Sequence, residues 1–274
     1  MLGQAASWVA PHVGVAVVGR ETGAGPTELD RFGEVDAVVP IASVTKVLVA
    51  FAVMVAVEEE AVELDEPAGP PGATVRHLLA HTAGYGFESG ARVLAAPGTR
   101  RIYSTQGFEV LAAHLEARTG IPMAAYLREA VLDPLGMSRT ELAGSAGSGV
   151  LSCVADLAAF ATELIAPTVI AGQSLAEMTR VQFPGLAGVL PGHGRYDPLD
   201  WGLGVERNFG RPGHWAGTRV SPESFGHFGA YGTFVWVDPT RSLACACVTG
   251  RDFGPWARHA WPALCDDVVV TYGR

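Results

Sequence analysis

Apolar and polar positions alternate with different periods along the chain, and each change of period marks an element. Residues 13–18 (VGVAVV) form a short apolar run of strand type, residues 23–26 read as a turn, and residues 31–39 read as a partner strand. The period then lengthens. Residues 43–62 read as a helix that ends in the solvated run Glu58-Glu59-Glu60. Pro67, Pro70 and Pro71 exclude regular structure from residues 65–72. Thr74 is placed to cap a short helix over residues 74–81. Over residues 106–118, Phe108, Leu111 and Leu115 fall at i, i+3 and i+7, and Gly120 sits where a helix stop is expected. Further helices are expected over residues 123–132 and 155–165, separated by a small-residue loop, residues 143–149, that reads as flexible. Near Trp201 the pattern returns to sheet. Residues 233–237, a turn at 238–241, and residues 243–248 read as an antiparallel hairpin. Residues 255–272 read as a closing helix, with Pro262 an awkward interior residue.

Sheet from both ends of the chain and a helical middle imply an α+β fold, an antiparallel sheet flanked by helices, with a helical insertion and a cleft between the two. A single domain is expected over residues 1–274, with residues 1–46 and 205–274 as its sheet region and 47–204 as its mostly helical region.

Composition narrows the function. A hydrophobic fraction of 49% against 17% charged residues supports a large core and excludes disorder. The net charge of −9, with arginines scattered singly apart from Arg100-Arg101, argues against nucleic acid or an anionic membrane as partner. The longest apolar run, residues 47–57, is too short to span a bilayer and reads as a buried helix. No basic residue precedes Arg20, so no secretory signal is seen and a cytoplasmic location is expected. Cys153, Cys245, Cys247 and Cys265 show neither zinc spacing nor a disulfide framework, and Cys245 and Cys247 should share one strand face. His77 and His81 stand four apart, a spacing some metal sites use, but no carboxylate or cysteine is obviously paired with them, so no metal is expected.

One residue count changes the picture. Of 19 basic residues, Lys46 is the only lysine. Codon bias toward arginine explains this equally well on the count alone. The chemical alternative is a task arginine cannot perform, since a buried lysine can shed its proton and act as a base. The neighbours favour chemistry. Ser43 lies one helical turn before Lys46, at a sheet-to-helix boundary, and the apolar flank Val47-Leu48-Val49 would desolvate the amine. Unpaired N–H groups at a helix start can hold a developing oxyanion.

SVTK at 43–46, TVRHLLAHTAGY at 74–85, PGTRRIYSTQGFEVLAAHLEARTG at 97–120, LDPLGM at 132–137 and FGHFGAYGTFVWVDP at 225–239 occur in order and span most of the chain. Together they resemble the serine beta-lactamase and penicillin-binding-protein superfamily, on the side that includes class C beta-lactamases, D-alanyl-D-alanine carboxypeptidases and family VIII carboxylesterases. The resemblance implies a beta-lactamase-like fold and two-step acyl transfer on a small-molecule acyl substrate, without metal or cofactor. It implies Ser43 as acylated nucleophile, Lys46 and Tyr103 as its proton partners, and the N–H groups of Ser43 and Ala230 as oxyanion hole. Thr105, His227 and Gly229 would contact substrate, Gly229 by letting it lie against the strand edge.

Two departures bear on substrate. Thr105 stands where the superfamily often carries Asn, and the neighbouring Gln106 should point elsewhere. His227 stands where lactamases carry the lysine of a Lys-Thr-Gly strand, and an imidazole holds a carboxylate less firmly. Both weaken the expectation of beta-lactamase or D-Ala-D-Ala peptidase activity and leave ester hydrolysis intact. The expected function is therefore a carboxylesterase-like serine hydrolase. A non-catalytic binding protein on the same fold is the alternative from another class. Tyr85, Phe87, Trp201 and Trp215 could line an apolar cleft, though each is individually a better candidate for the core.

Overall fold

The structure, a computed structural model, describes residues 2–20, 25–208, 210 and 213–273. Of the turn expected over residues 23–26, residues 23 and 24 lie outside the described residues. The chain runs through β1 (Gly14–Arg20), β2 (Pro26–Gly33) and the two-residue β3 (Val39–Pro40) into a single 3-10 turn, Ala42–Val44. Then come α1 (Thr45–Glu58), α2 (Val75–Leu79), β4 (Arg101–Ile102), α3 (Thr105–Thr119), α4 (Met123–Leu127), β5 (Glu141–Leu142), β6 (Val150–Ser152), α5 (Val154–Ile165) and α6 (Gly172–Thr179). Strands β7 (Gly188–Leu190), β8 (Gly194–Tyr196), β9 (Glu206–Arg207), β10 (Phe225–Gly229), β11 (Thr233–Asp238) and β12 (Leu243–Val248) precede the closing helix α7 (Pro255–Tyr272).

Six strands form one sheet in the order β2-β1-β12-β11-β10-β9, each pair antiparallel. Its central strands are apolar throughout because both faces are covered, and the period-two alternation decides which residue meets which cover. Val15, Val17, Cys245 and Cys247 face the cluster that contains α7. Ala16, Val18, Ala244 and Ala246 face the cluster that contains α1 and α5. The cysteine pair shares a face, as expected. Small residues on the second face let α5 lie close across β1, β11 and β12. A helix from the middle of the chain thus completes the sheet region as well.

The partner of β1 is displaced from its expected place. The expected strand covers residues 31–39, whereas β2 ends at Gly33. Gly33 has φ +77, and a Cβ there would stand 2.0 Å from the Val13 carbonyl oxygen. The chain leaves the sheet at that point. The true strand is a polar edge with no fully buried residue, so its hydrophobic signal is weak. The remaining long elements fall near their expected places. Gly120 stops α3 in the left-handed conformation at φ +74, and the helix of residues 123–132 is α4 followed by a π-turn, Arg128–Leu132.

Helix α1 is buried from Thr45 to Ala56. A helix apolar on every side belongs in an interior, and here it carries its N-terminal turn to the rim of the sheet. Two small sheets, β3-β6-β5 and β4-β7-β8, frame that rim. Among the described residues, no helix is long and apolar enough to cross a membrane, and no group of three or more His, Cys, Asp or Glu residues is placed to hold a metal ion.

Candidate active site

The turn that carries Ser43 is held from three sides. Ile41 N–H donates to Val150 O at 3.0 Å, and Thr45 Oγ1 accepts from Val150 N–H at 3.0 Å, which ties the turn to β6. Thr233 Oγ1 donates to Ile41 O at 2.8 Å, which ties it to β11. Strand β10 approaches closely at Gly229, where a Cβ would stand 2.3 Å from both Ile41 O and Thr233 Oγ1. Gly229 therefore allows the close approach of the strand to the Ser43 turn. Ala42 is forced to φ +47, a left-handed conformation that costs a non-glycine residue about 1 kcal/mol. Strain of this kind survives only where surrounding contacts over-determine it, and it leaves Ser43 half-buried at the turn's tip.

Lys46 has no exposed surface. Its Nζ donates to Gly147 O at 2.6 Å and to Thr105 Oγ1 at 3.4 Å, and lies 4.7 Å from the centre of the Tyr103 ring. Burial lowers its pKa from 10.5 to about 7, against a smaller opposing pull from Glu109. The Gly147 acceptor comes from the small-residue loop that the sequence presented as flexible. That loop is closed by Ala143 N–H to Gly149 O and by a Ser145 hydroxyl to Glu109 hydrogen bond, and Gly147 itself rests on Thr105 with no room for a Cβ. Small residues there reflect close approach, which composition alone cannot distinguish from mobility. Gln106 does turn away, accepting from Gly90 N–H.

Tyr103 is buried between Ser43 and His227. Burial raises its pKa above the ordinary phenol value, and a hydrogen bond with Ser43 opposes the shift. Tyr103 Oη lies 3.1 Å from His227 Nε2, and His227 Nδ1 lies 2.7 Å from Phe228 O. A carbonyl only accepts, so Nδ1 carries the ring proton and Nε2 receives the Tyr103 hydroxyl. Burial, then Lys46, lower the His227 pKa to about 4, which keeps the ring neutral at pH 7.

Sequence reasoning missed the part played by His81. Helix α2 ends at Leu79, so His77 and His81 share no helical face. His81 has φ +58 and lays its ring 4.5 Å from that of Tyr103. Its Nδ1 accepts from Ser104 N–H at 3.2 Å, and burial holds its pKa well below the ordinary value. Trp201 closes the back of the site, its ring 5.8 Å from Tyr103 and 5.5 Å from His227. No sequence spacing signals this wall, because its members come from separate loops.

Ser43, Lys46, Tyr103, Thr105, His227, Gly229 and Ala230 thus converge at one rim of the sheet. Ser43 hydrogen-bonds Tyr103, and the Lys46 amine lies against the face of the same ring, 4.7 Å from its centre. Ser43, Tyr103, His227 and Ala230 line a cavity of about 180 Å³, walled by Phe228 and Phe253. A groove of about 620 Å³ adjoins it and shares Phe87, Tyr103 and Pro191. Of the aromatic candidates for the cleft, Phe87 lines both cavities. Tyr85 and Trp215 line neither: Tyr85 packs over Gly69, and Trp215 Nε1 donates to Glu206 Oε2 at 2.8 Å within the α7 cluster.

Comparison with known proteins fits this geometry. The family model described as Beta-lactamase matches residues 6–268. The crystal structure of a beta-lactamase from Mycobacterium bovis is similar at 49% identity and a TM-score of 0.95, with all of both chains covered. A D-stereospecific amidohydrolase from a Streptomyces species shares the fold at 18% identity and a TM-score of 0.69, covering 92% of each chain. EstCE1, a hydrolase with promiscuous acyltransferase activity, shares it at 16% identity and a TM-score of 0.75, covering 97% of this chain and 96% of its own. A search of the curated proteins returns no match. With the family model spanning residues 6–268, and a solved relative identical at nearly half its positions, this chain belongs to the Beta-lactamase family.

Proposed function

We propose that the protein is a serine hydrolase that works through an acyl-enzyme, with small esters as its preferred substrates. The observation that carries this reading is Lys46: fully buried, one turn from Ser43, with a pKa near 7. About half of such amines are unprotonated at neutral pH, so the group can accept a proton where an ordinary lysine cannot. Tyr103 stays a neutral phenol, because burial opposes its ionisation. It therefore accepts the hydrogen bond of Ser43 while donating its own hydrogen to His227, with its ring against the Lys46 amine.

In this mechanism Ser43 Oγ attacks the ester carbonyl as its proton, held against the Tyr103 oxygen in the resting site, is taken up by Lys46 Nζ. The new Oγ–C bond forms, and the carbonyl oxygen becomes an oxyanion facing the N–H groups of Ser43 and Ala230. The bond to the leaving oxygen then breaks, and that oxygen takes the proton back from Lys46. Water repeats the sequence against the acyl-enzyme, with Lys46 again as base. His227 receives the Tyr103 hydroxyl and fixes its direction.

Ester rather than lactam chemistry is supported by the same groups. A neutral His227 offers no fixed charge for the carboxylate of a lactam or a peptide terminus, and Thr105 is engaged with Lys46. A cavity of about 180 Å³ with apolar walls suits a short acyl chain. The test is p-nitrophenyl ester hydrolysis over acyl chains of increasing length, with Ser43→Ala beside the wild type, together with fluorophosphonate labelling. Turnover and labelling that both depend on Ser43 are expected. Equal turnover by Ser43→Ala would sink the assignment. A folded protein that neither turns over esters nor takes the label is a binding protein instead.

A further inference from the structure

The larger groove has a charge pattern at odds with the rest of the molecule. The chain carries 28 acidic against 19 basic residues. Yet the groove is lined by Arg100, Arg101 and Arg195 and by no acidic side chain. These arginines have different tasks. Arg101 is buried, and its guanidinium donates to the carbonyls of Ala80, Gln182 and Phe183. It holds the floor. Arg100 and Arg195 are exposed, and neither makes an ion pair or a side-chain hydrogen bond among the described residues. Their placement follows from the small sheet. Arg100 directly precedes β4, β4 pairs with β7, and β7 pairs with β8, where Arg195 stands opposite Val189. Two guanidinium groups from outer strands thus border one opening, with exposed Val189 and Phe87 beside them.

The groove also has a defined relation to the reaction. It shares Tyr103 with the smaller cavity but reaches neither Ser43 nor Ala230. With the acyl side of the ester in the small cavity, as the proposed function has it, the leaving oxygen faces the groove.

We infer that the groove binds the leaving-group half of the substrate, and that this half is an apolar body carrying a carboxylate held by Arg100 and Arg195. The inference rests on the reading of Ser43 as nucleophile. It moves recognition of the anion away from His227, which is neutral, to a pair of permanently charged groups that can bind a carboxylate by paired N–H donors.

The test is binding to the Ser43→Ala protein, which needs no turnover. The probes are 4-acetoxybenzoate and its neutral methyl ester, measured by calorimetry against Ser43→Ala alone and against Ser43→Ala with Arg100→Ala and Arg195→Ala. The expected result is a preference for the anion over the methyl ester of about tenfold, lost in the triple variant and weakened by added salt. Equal affinity for the two probes, or a preference that survives removal of both arginines, overturns the inference. Arg195→Glu in the Ser43→Ala protein provides a variant of similar size and should reverse the preference. Wild-type kinetics on p-nitrophenyl hydrogen glutarate, whose carboxylate lies on the acyl side, provide the remaining arm. A loss in the arginine variants with this ester that equals the loss with 4-acetoxybenzoate would contradict the assignment to the leaving group. Failure of phenyl acetate hydrolysis in the wild type removes the hydrolase reading, while the binding preference still decides the groove.

Discussion

Lys46→Arg keeps a cation at position 46 and removes only the ease with which it gives up a proton. The structure supplies the size of that difference. Lys46, fully buried, has a pKa near 7. Arg101, buried nearly as deeply in the same protein, is lowered from 12.5 only to about 10. If an arginine at position 46 behaves as Arg101 does, the gap is about three pH units. At pH 7 about half of the lysines are free bases, against about one arginine in a thousand. The expected fall in kcat/KM is therefore about 500-fold before any cost of misplaced geometry. The assay is p-nitrophenyl butyrate hydrolysis from pH 5 to 10, beside Lys46→Met as a variant without a base and circular dichroism as a check on folding. The wild-type rate should rise with an ascending limb near pH 7 as Lys46 loses its proton. Lys46→Arg should show no limb at that pH and recover only toward pH 10. A folded Lys46→Arg protein within tenfold of the wild-type rate, with its limb still near pH 7, would refute the reasoning and return the lone lysine to codon bias.

The same burial sets a sign for stability. The folded chain holds Lys46 at about 7 against 10.5 for the free group, so the unfolded chain binds the extra proton between those values and wild-type stability rises with pH across that window. Lys46→Met removes this contribution. In urea titrations the variant should gain over the wild type as pH falls from 10 to 7, by at most about 5 kcal/mol, with no further gain below pH 7. Gly229→Ala should destabilise by about 3 kcal/mol or more, since its Cβ meets backbone and Thr233 at 2.3 Å, and thermal melting checks this. Thr233→Val, which removes only the hydrogen bond to Ile41 O, should cost about 1 kcal/mol in the same assay. Ala42→Gly relaxes a residue at φ +47 and should stabilise by up to about 1 kcal/mol while lowering kcat, because a looser turn holds Ser43 less firmly. Melting and steady-state kinetics on one sample should show the two changes with opposite sign.

The long helices and the hairpin were legible in the sequence because each is written as a local period. Leu111 and Leu115 repeat at helical spacing, and Val235, Val237, Ala244 and Ala246 repeat at strand spacing. The edge strand β2 was misplaced because it buries little and so carries little pattern. In the site, Ser43 and Lys46 could be paired from sequence, since one turn of helix separates them. Tyr103 and His227 came from the resemblance, because no local period connects residues 124 positions apart. His81 and Gly147 stayed hidden. One depends on a left-handed residue just past a helix end, the other on a backbone carbonyl, and a backbone group has no letter in a sequence.

The two hydrophobic clusters on opposite faces of the sheet have a consequence for how the protein fails. Phe108, against which the Lys46 amine rests, belongs to the cluster of α1 and α5, whereas Tyr103 and Phe228 belong to the cluster of α7. The working atoms therefore straddle a seam, half fastened to one packed body and half to the other. A slip of a few tenths of an ångström along that seam leaves each body intact but lengthens the Ser43–Tyr103–Lys46 spacing. On warming, activity should fade several degrees before the far-ultraviolet signal melts. The reaction rate would then report the fit of two cores, much as a vernier reports the offset of two scales.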